Sequence, residues 1–218
     1  MANGECYHIF NRGVDRRSVF TDVKDYERFI LSIILMNYEQ DGLMIRWRNF
    51  KEAYPKESLD KFLRLNLSER KKLVEIIAYC CNENHYHLIL KQLREKGIEK
   101  FMQRISTGYT MYFNKKNHRS GSLFQGRFKS THIDNNELLL HLSVYVNCNS
   151  EIHGIEKAEK YNWCSFPCYM GIQKDNSLDI NKNMVLDQFN DKNAYNDFCF
   201  SNINYFKNRK ADEKVFLE

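Results

Sequence analysis

His85 and His87 stand on either side of Tyr86, and Tyr145 precedes Asn149 by four residues. A strand sends alternate side chains to opposite faces, so these two imidazoles would point one way and Tyr86 the other. Two imidazoles on one face make half of a metal site. On a helix a spacing of four places a phenol one turn from an amide oxygen, on the same side. A phenol nucleophile near metal-binding nitrogens suits phosphodiester cleavage through a tyrosine. Plainer readings stand beside this one. Strand histidines are often structural, and Tyr145 shares its helical face with Leu138 and Leu142, as a core tyrosine would.

The elements that must hold these residues follow from periodicity and turn chemistry. Residues 74–81 are an apolar, partly β-branched run, Asn82-Glu83-Asn84 is turn-forming, and residues 85–90 form a second strand, which together predict a hairpin with the histidines just after its turn. Cys6 to Phe10 reads as an earlier strand broken by Asn11-Arg12-Gly13. Asp22 and Asp25 then open a helix along Tyr26, Phe29, Ile30, Ile33 and Ile34 that ends near Gly42. Between about 46 and 72 the pattern is irregular and charged, with Pro55 and with Ser58 and Ser68 as candidate N-caps, which predicts a helical insertion. A helix over 97–114 carries Ile98, Phe101, Met102, Ile105, Tyr109 and Tyr112 on one stripe, so those tyrosines read as core. Residues 122–133 can supply a further strand. Asp134 or Asn135 caps a helix running through Leu138, Leu142, Tyr145 and Asn149.

That order predicts an α+β fold of the ferredoxin-like or RRM-like kind, an antiparallel sheet with helices packed on one face. Residues 1–160 would form the domain, and 161–218 a C-terminal extension packing on it. A chain of 218 residues with 43% hydrophobic content can bury a real core. It contains no apolar run of about 18 residues, and its start lacks a basic-then-apolar leader, so a cytoplasmic, nucleoid-associated protein without membrane contact is expected. Seven scattered cysteines offer no disulfide framework. Cys164 and Cys168 lack the second pair that a structural zinc site needs, and Cys81 and Cys148, near the histidines in sequence or on the tyrosine helix, invite a zinc reading that the helical geometry disfavours.

The net charge of +5 is unevenly spread. From Arg94 to Lys129, nine basic residues face only Glu95 and Glu99, interleaved with Tyr109, Tyr112, Phe113, Phe124 and Phe128. Cations for phosphates and rings for bases are what nucleic-acid binding requires, although a solvated helix face over a core would look similar. Arg12, Arg104, Lys115, Lys116, Arg119, Arg127 and Lys129 are the candidate DNA contacts.

Five segments in order carry a family resemblance: Tyr7-His8-Ile9-Phe10-Asn11-Arg12-Gly13, Asn84-His85-Tyr86-His87-Leu88, Gly108-Tyr109-Thr110-Met111-Tyr112-Phe113-Asn114, Gly121 through Ser130, and Tyr145-Val146-Asn147-Cys148-Asn149. With them the chain resembles the HUH single-tyrosine transposases of insertion sequences, especially the REP-associated branch. The resemblance implies that His85, His87 and Asn149 bind a divalent cation and that Tyr145 attacks DNA. It also implies a 5′-phosphotyrosine link with a free 3′-hydroxyl, on single-stranded DNA bearing a hairpin. Two imidazoles, an amide oxygen and open positions suit Mg²⁺ or Mn²⁺. Members of the family differ on whether one subunit or a homodimer assembles the site. Here Asn82-Glu83-Asn84 and Asn149-Ser150 lack the prolines common in the family, a difference that bears on turn rigidity and helix termination. The alternative is a catalytically silent DNA- or RNA-binding module of the same fold.

Overall fold

Four strands pair antiparallel in the order β2-β3-β1-β4: β1 (Cys6–Arg12), β2 (Val74–Asn82), β3 (His85–Gln92) and β4 (Lys129–Ile133). This is a computed structural model, and it describes residues 1–172 and 178–212. Parts of the expected extension, 173–177 and 213–218, lie outside the described residues. The hairpin is present, with Asn82 opposite His85 and Cys80 opposite His87. On the other side of β3, Arg12 faces His85 and Phe10 faces His87. Alternation therefore gathers His8, Phe10, Arg12, Asn82, His85 and His87 on one face of the sheet, and turns Tyr7, Ile9, Tyr86 and Leu88 to the other. A register shift between Ile76 and Ala78 is confined to the far end of β2.

The α+β class and the antiparallel sheet are as the sequence predicts, but the helices occupy both faces rather than one. On the face of Tyr86 lie α1 (Val23–Leu35), α2 (Leu43–Ala53), α3 (Leu59–Asn66) and α4 (Gly97–Lys116), with Phe29, Ile33, Phe62, Phe101, Ile105 and Tyr109 in the core. Over the other face pack α5 (Asn136–Asn147), α6 (Asn149–Ile152), α7 (Phe166–Met170), α8 (Asn183–Leu186) and α9 (Lys192–Asp212). Their core joins Ala78, Cys80 and Ile89 of the sheet to Val144, Val146, Cys148, Phe166 and Tyr195. The reason is visible in β2 and β3, which are buried along nearly their whole length instead of on alternate residues. A strand buried on both sides needs a layer on both sides. Each large ring buried this way contributes roughly 1.5–3 kcal/mol.

Local chemistry sets the ends of the helices. Asp22 caps α1 by accepting from Asp25 N, Ser58 caps α3 by accepting from Lys61 N, and Asn135 caps α5 by accepting from Leu138 N at 2.8 Å. Ser68 opens no helix. α1 stops at Leu35, well before Gly42, because Asn37 leaves the helix to pair with the start of β2: its Nδ2 donates to Val74 O, its Oδ1 accepts from Val74 N, and its carbonyl accepts from Leu73 N. Gly42, at φ 78, instead precedes α2. β4 is shorter than residues 122–133, since Gln125 N is taken by Arg12 O and Phe124 bridges to Gly13 before the strand begins. α5 is also shorter than expected. It closes at Cys148, at φ −101 and ψ 14, and Asn149 starts the next helical turn.

Candidate metal and nucleophile site

His85 and His87 project from one face of β3 with ring centroids 5.2 Å apart and planes at 86°, both buried. Their outer nitrogens are held. His85 Nδ1 lies 2.6 Å from Asn84 Oδ1, an atom that can only accept, so Nδ1 carries the proton and Nε2 keeps its lone pair. His87 Nδ1 lies 2.9 Å from Nε2 of His8 on the neighbouring strand. Burial lowers the His8 imidazole to about 4 and holds His87 well below its usual range, where neighbouring His8, His85, His153 and Arg12 add to the effect. At neutral pH both rings are therefore uncharged, the form in which imidazole binds metal.

From the covering layer, α5 and α6 bring the other two residues. The ring of the half-buried Tyr145 meets His87 edge-on at 5.3 Å and 84°, and His8 at 6.1 Å. Asn149 is fully buried and its Oδ1 sits 3.2 Å from His85 Nε2. Although Cys148 interrupts the helix, both residues still face the histidines, one on each. Four further residues join them without having been expected there: His8, Asn82, whose Nδ2 donates to Asn149 Oδ1 at 2.6 Å and lies 3.1 Å from His85 Nε2, His153, whose ring is 5.0 Å from His85, and Arg16. His8 sits within a recognised motif, and His153 continues the spacing of four that links Tyr145 to Asn149; those were the available signals.

The donor set fits a divalent cation. His85 Nε2 and Asn149 Oδ1 are two acceptors facing each other, with the Asn82 amide donating between them, and among the described residues the buried Asn149 Nδ2 has no hydrogen-bond partner. Among the described residues no three His, Cys, Asp or Glu side chains converge as a metal set. Two neutral nitrogens and an amide oxygen can hold Mg²⁺ or Mn²⁺ with positions left open. Cys80, across from His87 on the same face, donates to Asn82 Oδ1 at 3.5 Å and is kept protonated by burial. Cys81 lies on the opposite face, and Cys148 is kept protonated by its hydrogen bond with Cys199 and by burial.

A cavity of about 230 Å³ opens on the histidines and is lined by Arg12, Arg16, Gln125 and Lys129 as well as His85 and His87. The loop that carries Arg16 is pinned to the β2–β3 turn. Asn84 O accepts from Gly13 N, Asn84 Nδ2 donates to Arg16 O, Glu83 O accepts from Val19 N, and Ser18 bonds the Glu83 carboxylate. These contacts hold the turn where a proline is missing. Asp15 and Arg16 adopt left-handed φ of 55° and 58°, an unusual pair for residues with side chains.

The other predicted basic contacts are not all brought to this cavity. Arg127 is exposed just before β4, and Lys115 is exposed near the end of α4. Arg104 is spent on structure: it donates to Tyr38 O at 2.7 Å, to Met36 O and to Glu39 O, and pairs with Asp41. Lys116 pairs with Asp22 at 2.9 Å and Asp25 at 2.6 Å. Arg119 donates to Ser122 O and to Asn114. Tyr109 and Tyr112 belong to the other layer, donating to Val19 O and to Asp25.

Residues 51–149 match the model of the IS200-like transposase family. The matched stretch contains both histidines, Tyr145 and Asn149, and bears out the resemblance carried by the motifs. A solved REP-associated tyrosine transposase bound to a REP hairpin is 15% identical, covering 82% of this chain and 92% of that one with a TM-score of 0.47. No curated protein sequence matches. Among the described residues, no helix is long and apolar enough to cross a membrane.

Proposed function

We propose that this chain, whose residues 51–149 carry the IS200-like transposase signature, is a DNA strand-cleaving and strand-transferring enzyme that uses Tyr145 as nucleophile. The observation that carries the reading is the Tyr145 ring set edge-on at 5.3 Å to His87, which itself lines a cationic cavity of about 230 Å³. Arg12, Arg16 and Lys129 hold the scissile phosphate and neutralise its charge, with Gln125 as a neutral hydrogen-bonding group. The Tyr145 oxygen attacks phosphorus, the bond to the 3′-oxygen breaks, and the strand is left with a free 3′-hydroxyl and a 5′-phosphotyrosine. Because the linkage preserves a phosphodiester, the 3′-hydroxyl of another strand can reverse the step without a nucleotide cofactor.

His85, His87 and Asn149 would hold Mg²⁺ or Mn²⁺, which supplies polarisation of the phosphate and stabilisation of the leaving oxygen. The substrate is single-stranded DNA carrying a hairpin, as the motif resemblance implies, acted on by a monomer or a homodimer in the cytoplasm. The test is to incubate the protein with end-labelled hairpin DNA and Mn²⁺ and to look for a covalent adduct. Tyr145→Phe should abolish the adduct, and an adduct that survives would remove Tyr145 from this role.

One observation favours the silent binding module. The Asn82 amide already donates to Asn149 Oδ1 at 2.6 Å and lies 3.1 Å from His85 Nε2, so protein hydrogen bonds engage both atoms. That reading predicts hairpin binding that is unchanged by divalent metal and by His85→Ala.

A further inference from the structure

We infer that His8 is the positioning residue of His87: its Nε2 accepts the Nδ1 proton of His87, and so fixes that ring with a lone pair on Nε2. The contact comes from the geometry, and the choice between its two tautomers rests on the metal reading above. The two nitrogens are 2.9 Å apart and both rings are buried. Between two neutral imidazoles one nitrogen must donate and the other accept, which leaves two arrangements. If His8 donates, His87 carries its own proton on Nε2 and cannot bind a cation there. If His87 donates, Nε2 is a ligand.

The metal reading selects the second arrangement, and His85 offers the parallel. His85, the partner ring on the same face, is set the same way, because Asn84 Oδ1 can only accept from its Nδ1. Ligating imidazoles are commonly oriented by an acceptor on the far nitrogen, and here a second imidazole takes the place that a carboxylate or carbonyl usually fills. The packing holds that acceptor still. His8 is stacked on Phe10 at 5.0 Å and 24°, lies nearly parallel to His87 at 15°, and meets the Tyr145 ring edge-on. A single ring thus sets both His87 and one wall of the tyrosine's surroundings.

The experiment is long-range ¹⁵N correlation spectroscopy of the metal-free, full-length protein, combined with Mn²⁺ titration by calorimetry. Wild-type His87 should be protonated on Nδ1. His8→Leu should mix its tautomers and weaken Mn²⁺ binding by about 10- to 100-fold, whereas His8→Gln, which keeps an acceptor, should restore most of both. A wild-type His87 protonated on Nε2 overturns the inference, as does His8→Leu leaving tautomer and affinity unchanged. If the wild-type protein binds no Mn²⁺, the metal assignment fails, and the wild-type tautomer, together with its response to His8→Leu and His8→Gln, still decides the role of His8.

Discussion

Replacing Lys129 by Ala should change how DNA binding depends on salt, and replacing Arg104 by Gln should not. Lys129 and Arg12 line the cavity over the histidines, whereas the Arg104 guanidinium is occupied by the carbonyls of Met36, Tyr38 and Glu39 and by Asp41. Each phosphate neutralised on a single strand contributes about −0.7 to the slope of log affinity against log salt. Over a fourfold rise in salt, one such contact is therefore about 2.6-fold in affinity, and the three cations Arg12, Arg16 and Lys129 together about 18-fold. Anisotropy titrations of labelled single-stranded DNA, between about 50 and 200 mM salt and without divalent metal, read this directly. Lys129→Ala should lose about 0.7 of the slope. Arg104→Gln should keep the whole slope, even if its melting temperature falls. Equal losses in the two variants would refute the division of the basic segment into cavity-lining and structural residues.

Three other outcomes follow from the same contacts. Asp25 is buried and accepts from Thr21 N, Thr21 Oγ1, Tyr112 and Lys116; burial raises its carboxyl, but these donors outweigh burial and hold it below the usual range. Asp25→Asn should cost about 2 kcal/mol, seen as a melting drop of roughly 5 °C. Since the folded carboxyl is depressed, this stability is present above the ordinary carboxylate range and is lost as pH falls through the folded value, so wild type and variant should converge in acid. Gly13→Ala would place a Cβ 2.3 Å from Arg17 O and 2.9 Å from Val19 Cγ1; it should destabilise the fold by about 1–3 kcal/mol and weaken DNA binding by displacing the Arg16 loop, measurable by melting and anisotropy. Adding Mn²⁺ at about 100 times its dissociation constant should stabilise the protein by about 2.7 kcal/mol; EDTA should reverse the shift, and His85→Ala should remove it.

What could be read from the sequence is what depends on neighbours along the chain. The hairpin, the common direction of His85 and His87, and the Asn135 cap are all consequences of alternation or of a spacing of three or four. The apolar stripe of α4 is equally local, and its tyrosines are in the core where that stripe puts them. The features that escaped depend on partners far away. Arg104 and Lys116, expected as nucleic-acid contacts, are ion-paired with Asp41, Asp22 and Asp25 from the first third of the chain. His8 reaches His87 only because β1 pairs with β3 across 79 residues. The second helical layer was nonetheless foreshadowed, since residues 76–81 are apolar at nearly every position and a strand with one wet face would alternate.

The four side chains meet because two periodicities agree in length. Two residues along a strand span about 6.8 Å, and four residues along a helix rise about 6 Å. A helical run laid over β3 therefore brings Tyr145 to His87 and Asn149 to His85, the pairings found at 5.3 Å between rings and 3.2 Å between polar atoms, with the chain leaving helical geometry only at Cys148. The break at Cys148 sits between these two contacts, so the turn that carries Asn149 is seated separately from the helix that carries Tyr145. His153, four residues on, extends the same match to the outer side of His85. Sequence spacing on α5 and α6 is thus coupled to sequence spacing on β3. One residue added between Tyr145 and Asn149 would turn the second contact by about 100° and leave the first intact.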